Sequence, residues 1–481
     1  MAAKLEWGES LRQGETPPVK DRIRLIVQLS VPAILAEISS IAMQYIDAAM
    51  VGSLGAAASA SIGLVSSTTW LFGGMCMALA TGFSVQVAHL VGAEKLREAR
   101  NVLRQALIAA AIFGLLLSAI GILLSSRLPA WLRGDADIRP DASRYFFIYA
   151  CALPALQFRA AAGSILQCSG DMRTPSVLNI LMCFFDVVFN SLLIFPTRRI
   201  SLLGLGLVMP GAGMGVAGAA LGTALSEVVT ALLMLYALCV RSPLLRLSEG
   251  GSWRLTAPCL LSAARVGLPM ALERGILSSA QIVSTRIVAP LGKLSVAANS
   301  LAVTAESLCY MPGQGIASAA TTLVGQSIGA GREDMARSYA RLTVAIGAGV
   351  MAFSGLLMFF FAPAAFAILT PDPAIRALGT KVLRIEVFAE PLFGVAIVTT
   401  GALRGAGDTL IPSVISLVSM WGIRITASMA LAPRVGLPGV WFAMCVELCF
   451  RGLLFLVRLL RGRWLPQGKA DGKEKVADGN E

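Results

Sequence analysis

At 481 residues, 56% of them hydrophobic and only 14% charged, the chain falls well short of the charged fraction of a water-soluble domain, about a quarter, so lipid is the expected solvent for most of it. A formal net charge of +12 would suggest nucleic acid as a partner of a soluble protein. No basic run with interleaved aromatics accompanies it, and the Lys and Arg excess of cytoplasmic loops explains it instead.

Residues 1–24 are polar, and no cleavable signal peptide is expected, because the first apolar run, from Leu25, is long enough to span a bilayer. Runs of that kind fall near 25–50, 58–91, 102–125, 145–168, 174–195, 215–240, 263–290, 294–328, 340–370, 384–403, 410–432 and 437–460. In hydrocarbon each must be helical, since only a helix satisfies its own backbone polar groups. The expectation is an all-α integral membrane protein of twelve transmembrane helices, with both termini on one side. The segments on that side hold 24 Lys and Arg against 11 on the other, which makes it the cytoplasm. The expected divisions are a cytoplasmic tail over 1–24, a six-helix lobe over 25–240, a cytoplasmic linker over 241–262, a second six-helix lobe over 263–461 and a cytoplasmic tail over 462–481. The nine cysteines lie almost all in apolar runs and are expected to pack as small hydrophobes. The single histidine, His89, rules out a multi-histidine metal centre.

The two lobes repeat one another. Pro32 matches Pro269, Leu54-Gly55 matches Leu291-Gly292, Gly92-Ala93 matches Gly329-Ala330, and Pro175-Ser176-Val177 matches Pro412-Ser413-Val414. All of these pairs share one offset in the numbering. Beyond them the offset shortens (Gly215 and Gly436, Gly218 and Gly439), so the first lobe carries 16 extra residues in an outward loop between its fifth and sixth spans. Repeats with an even number of spans share one orientation, related by a pseudo-two-fold axis along the membrane normal, and such pairs expose a mid-membrane substrate alternately to each side.

The segments Asp47-Ala-Ala-Met-Val-Gly-Ser-Leu-Gly55, Gly170-Asp171, Leu403-Arg-Gly-Ala-Gly-Asp-Thr409, Met311-Pro-Gly-Gln-Gly315 and Val324-Gly-Gln-Ser-Ile-Gly-Ala330 resemble the multidrug and toxic compound extrusion (MATE) family. The resemblance covers residues 25–460. It implies a twelve-helix antiporter with a V-shaped pair of lobes that exports organic, often cationic, compounds in exchange for sodium ions or protons. No Gly-x-x-x-x-Gly-Lys-Ser/Thr loop for ATP phosphates is present in the sequence, so no ATP and no cofactor beyond the coupling ion are expected.

An ionisable side chain inside a span is costly and therefore a functional candidate. Asp47 lies fifteen residues after Pro32, a spacing that resembles the family's prokaryotic members, whose first-helix Asp binds the coupling cation. Its repeat partner is Ser284, so the acid is not kept by symmetry. Asn179, Cys183, Asp186 and Asn190 share one helical stripe, and their oxygens suit sodium, a hard cation. Thr223, in Gly218-Ala-Ala-x-x-Thr, matches a sixth-helix motif of the family and adds a hydroxyl. Glu273, Glu37 and Glu390 are secondary candidates. Glu273 lies one turn before Leu277, the place where many relatives carry a Glu. Pro32, lacking a helix hydrogen bond, is the candidate switch that changes the bend of the first helix. Asp171 and Asp408 read as helix caps, Glu447 and Arg451 as an i, i+4 ion pair, and His89 as structural.

These features point to a multidrug efflux antiporter in the plasma (inner) membrane, a monomer whose partners are a small-molecule substrate and the bilayer. The alternatives are a flippase for lipid-linked precursors, disfavoured because nine acids outnumber five arginines within the spans, and a narrow-specificity metabolite exporter. A sensor or scaffold is disfavoured by the lack of any soluble domain.

Overall fold

The computed structural model describes residues 16–132, 134–202, 205–247 and 250–465. The tails expected over 1–24 and 462–481 fall mostly outside the described residues.

In the first half, α1 (Val19–Gly52), α2 (Ala56–Gly92), α3 (Leu96–Ser125), α4 (Arg139–Cys168), α5 (Arg173–Leu193) and α6 (Gly215–Tyr236) follow in order. A one-turn helix, Leu128–Trp131, precedes α4, and a π-helical turn, Ala237–Arg241, extends α6. The second half contains α7 (Ala257–Val288), α8 (Lys293–Gly329), α9 (Glu333–Leu369), α10 (Pro373–Glu386), α11 (Glu390–Gly405), α12 (Leu410–Ser419), α13 (Thr426–Val435) and α14 (Leu437–Arg461). A π-helical segment, Met420–Ile425, joins α12 to α13.

Among the described residues, nine helical stretches are long and apolar enough to cross a membrane: α1 to α6, α9, the α12–α13 stretch and α14. Helices α7 and α8 carry more polar residues, and α10–α11 is broken. The apolar exterior follows the repeat. Leu116 and Leu123 of α3, and their repeat counterparts Phe353 and Phe360 of α9, are 54 to 77% exposed. Large side chains left this bare are at home against lipid tails.

The fold is not purely helical, contrary to the all-α expectation. Part of the longer loop between α5 and α6 forms an antiparallel hairpin of β1 (Pro196–Leu202) and β2 (Leu205–Ala212), with Pro196 opposite Ala212. Pro196, Gly206 and Pro210-Gly211 disfavour helix, and strand pairing satisfies the backbone groups that a helix would otherwise have satisfied.

The same helix pairings recur in the two halves. Helices α2, α3 and α6 pack on α4, and their counterparts α8, α9 and α14 pack on α11. Besides the hairpin, the repeat differs inside one helix. Pro154 and Pro391 are counterparts, yet α4 runs unbroken through Pro154, while the helix around Pro391 is interrupted at Val387–Ala389. Glu386 and Glu390 stand at that break, where the first half has Tyr149 and Leu153.

Between halves, α1 packs on α8, and α2 packs on α7 and α8. The closest approach is at the end of α2 and α8 nearest the chain termini, where it is reciprocal. A Cβ added at Gly92 would lie 2.0 Å from the Gln326 carbonyl oxygen, and one at Gly329 would lie 2.0 Å from the His89 carbonyl oxygen. Only glycine lets two backbones touch in this way. The His89 ring nitrogen Nε2 is 2.8 Å from the Gly405 carbonyl oxygen, which ties α2 to the second half.

Candidate cation site

Three helices of the first half bring polar side chains to one point. Helix α1 packs on α5, and α5 packs on α6. Asp47 lies near the far end of α1, Asp186 and Asn190 lie one turn apart on α5, and Ser226 lies on α6. The Asn190 Nδ2 amide donates to Asp47 Oδ1 and to Asp186 Oδ2, both at 2.9 Å. The Ser226 hydroxyl donates to Asp186 Oδ1 at 3.3 Å. Asp186, Asn190 and Ser226 are buried, while Asp47 is half-buried.

The amide oxygen of Asn190 is buried without a hydrogen-bond partner. It rests against Gly222 of α6, where any Cβ would lie 2.1 Å from it. Two carboxyls, an amide oxygen and a hydroxyl therefore crowd together. This donor set is all oxygen, the chemistry of a hard cation. Among the described residues there is no cluster of three or more His, Cys, Asp or Glu side chains fit to hold a metal ion.

The remaining sequence candidates lie elsewhere. Asn179 is on α5 but accepts from Arg159 Nη1 at 3.4 Å, while Cys183 donates to the Asn179 carbonyl. Arg159 of α4 holds Glu227 of α6 with two bonds, at 2.5 and 3.0 Å. Thr223 contributes its backbone carbonyl to the Ser226 hydroxyl at 2.8 Å. With Tyr145, Tyr149 and Glu227 it also lines a cavity of about 40 Å³. Glu37, half-buried on α1, is within electrostatic range of Arg159. Glu273 of α7 accepts from the Ser413 hydroxyl at 2.9 Å. Glu390 is fully buried, and neither its oxygens nor those of Glu386 have a hydrogen-bond partner. Pro32 sits inside α1, which is helical on both sides of it.

Sequence reasoning missed Ser226 as the hydroxyl on Asp186. The signal was available, because Ser226 is one turn from Thr223 on the same helix. It also left Arg159 and Glu227 unjoined, since 68 residues separate them. Glu447 and Arg451 form their i, i+4 pair at 3.1 Å, and Ser419 donates to Glu447. Asp171 caps α5, accepting from the Thr174 backbone N–H at 3.2 Å and from its hydroxyl at 2.6 Å. Asp408 instead takes Arg458 of α14, at 2.6 Å. The repeat places Ile411 where Thr174 stands, and Ala237 where Arg458 stands, so each Asp takes the partner its own half provides.

The family comparison reproduces the internal repeat. The MatE family model matches twice, over residues 32–192 and 269–429, two blocks with the same offset as the matched motifs. A probable multidrug resistance protein NorM of Thermotoga maritima is 26% identical over 459 residues, covering 94% of this chain and 95% of the relative. A solved MATE in complex with MaL6 has a TM-score of 0.84 at 20% identity, covering 92% of this chain and 97% of its own. A MOP-superfamily transporter from Pyrococcus furiosus, described as having a binding pocket of reversed polarity, has a TM-score of 0.83 at 21% identity and covers 92% and 96%. With two family-model matches that together span most of a chain already seen to be a doubled set of apolar helices, the protein belongs to the MatE family, the multidrug and toxic compound extrusion transporters.

Proposed function

We propose that this chain is a secondary active exporter of small, often cationic, organic compounds, driven by the inward flow of sodium ions or protons. The observation that carries the reading is the pair of acids, Asp47 and Asp186, joined by the single amide of Asn190. Two carboxylates in apolar surroundings repel each other, and one neutral amide supplies too little positive charge to hold both ionised. A proton or a sodium ion supplies the rest.

The accessible member is Asp47, and the buried members, Asp186, Asn190 and Ser226, hold it in place. A cationic compound and the coupling ion compete for the same negative charge. By linkage each weakens the binding of the other, which is the condition for exchange. Asn179, Arg159 and Glu227 form the adjoining polar wall. Pro32 is the point where α1 bends when Asp47 is neutralised. Glu273, Glu37 and Glu390 are secondary sites of charge.

The chain works as two lobes, 25–240 and 263–461, joined by the linker 241–262, with twelve spans in the plasma (inner) membrane. The termini, including the tails 1–24 and 462–481, are cytoplasmic. The excess of Lys and Arg on that side supports this orientation. The protein acts as a monomer and without ATP. The test is ethidium transport by the protein in liposomes, first under an imposed sodium gradient and then under an imposed pH gradient. Transport under neither gradient by folded protein overturns the reading.

A further inference from the structure

Two side chains cross between the halves at the same place in the repeat. His89 of α2 and Gln326 of α8 are repeat counterparts, and so are Cys168 and Gly405, the last residues of α4 and α11. The Gln326 Nε2 amide of the second half donates to the Cys168 carbonyl of the first at 2.7 Å. The His89 ring of the first half reaches the Gly405 carbonyl of the second at 2.8 Å. A carbonyl only accepts, so His89 Nε2 carries the proton. The two bonds are one contact made twice, with donor and acceptor exchanged between the halves.

The two carbonyls need such donors. Helices α4 and α11 stop in the same way. Gly170 and Gly407 take positive φ, 89° and 81°, and the Asp171 and Asp408 N–H groups turn back to the Leu166 and Leu403 carbonyls. Among the described residues no backbone N–H turns back to the carbonyl of Cys168 or of Gly405. Both residues are buried, and a buried carbonyl without a donor is costly. In each case the donor comes from the opposite half, to a helix end whose partial negative charge favours it.

The same two residues also make the close backbone contact. Gly92 lies against the Gln326 carbonyl and Gly329 against the His89 carbonyl. His89 and Gln326 therefore each hold the other half with backbone and side chain together. The pair is not quite symmetric. Thr322 adds a hydroxyl bond to the Gln167 carbonyl at 3.1 Å, where the first half has Val85.

We propose that His89 and Gln326 are the gate residues of the terminal side. Both bonds must break for the halves to part there, and both re-form when the halves meet, so the pair sets how often that side opens. The inference rests on the reading of the chain as an exporter that exposes its site alternately to each side. When the halves part, water reaches the two carbonyls and the two donors, so each bond is exchanged for bonds to water at a modest net cost. Two such bonds close the gate without locking it.

Cys168 is a native reporter of this opening. It is 3% exposed, and its thiol lies against Ser84 of α2 and Thr322 of α8, so parting the halves uncovers it. The test is the rate at which a water-soluble maleimide labels Cys168 in the full chain in nanodiscs, read peptide by peptide by mass spectrometry, with no substrate or gradient. Cys76, fully buried inside the first half, reports general loosening. His89→Leu and Gln326→Leu keep bulk but remove the donor. Each should speed Cys168 labelling about fivefold, the effect of one lost hydrogen bond, with Cys76 unchanged, and either variant suffices if the other does not fold. His89→Gln, which imports the counterpart's amide, should label at the wild-type rate. Unchanged Cys168 labelling in both leucine variants, equal acceleration at Cys76, or His89→Gln labelling as fast as His89→Leu would each overturn the proposal. No transport is measured here, so these outcomes are distinct from a failure of ethidium export, which overturns the exporter reading instead.

Discussion

Replacing Gly92 by Ala should hold the two halves apart on the side of the chain termini. The new methyl group would lie 2.0 Å from the Gln326 carbonyl oxygen, against an ordinary carbon–oxygen contact of roughly 3.3 Å. The ends of α2 and α8 must then separate by about 1 Å, which also strains the reciprocal contact of Gly329 with His89 and the His89–Gly405 hydrogen bond. Overpacking of this kind costs about 1–3 kcal/mol. That penalty falls only on the arrangement in which the halves meet here, so it shifts the balance between arrangements by about 5- to 150-fold. Hydrogen–deuterium exchange of the protein in nanodiscs reads this directly, as faster exchange over residues 85–95 and 322–332 in the variant, together with slower transport. Gly63→Ala is the control on the same helix, because nothing lies within 4 Å of a Cβ there. Exchange and transport in Gly92→Ala that match wild type would refute the argument that this contact closes the terminal side.

Asn190→Ala removes the amide that serves both acids, and should abolish gradient-driven transport while leaving a folded protein, as checked by gel filtration and thermal unfolding. Glu227→Ala leaves Arg159 without its bidentate partner and should destabilise the protein by about 3–5 kcal/mol. The double variant with Arg159→Met should regain much of that loss in the same unfolding assay. Asp171→Ala removes the cap of α5 and should cost about 1 kcal/mol. No rescue is expected from Thr174→Ile, which imports the second half's residue, since Ile supplies no new partner.

The repeat and nine of the expected apolar spans were legible because both signals are local or periodic. A motif that recurs at a fixed offset needs no coordinates, and the family match later fell on the same offset. The hairpin after α5 was not legible as strand, because its residues are apolar enough to continue a helix, and only the Pro and Gly positions argued otherwise. The break between α10 and α11 was hidden for a different reason. Pro154 and Pro391 occupy the same place in the repeat, and a proline alone does not say whether a helix bends or breaks; the break coincides with Glu386 and Glu390, buried acids that the first half lacks. At the site, Asp186 and Asn190 were readable from their spacing on one helix. Asp47 was singled out only through its spacing from Pro32 and the resemblance that spacing carries. Its meeting with Asn190 spans 143 residues, and helical periodicity is silent about which helices adjoin. Asn179 was grouped with Asp186 by the same stripe, yet it turns toward Arg159, because a helical stripe fixes the face of a residue and not its neighbour.

The central claim is that Asp47 couples ion flow to export. It is tested most directly by comparing wild type and Asp47→Asn in liposomes, with ethidium transport followed under a sodium gradient and then under a pH gradient. The account predicts transport by wild type under one of these gradients, and its loss in Asp47→Asn although the variant folds and reconstitutes equally well. Gradient-driven transport that survives in Asp47→Asn would contradict it.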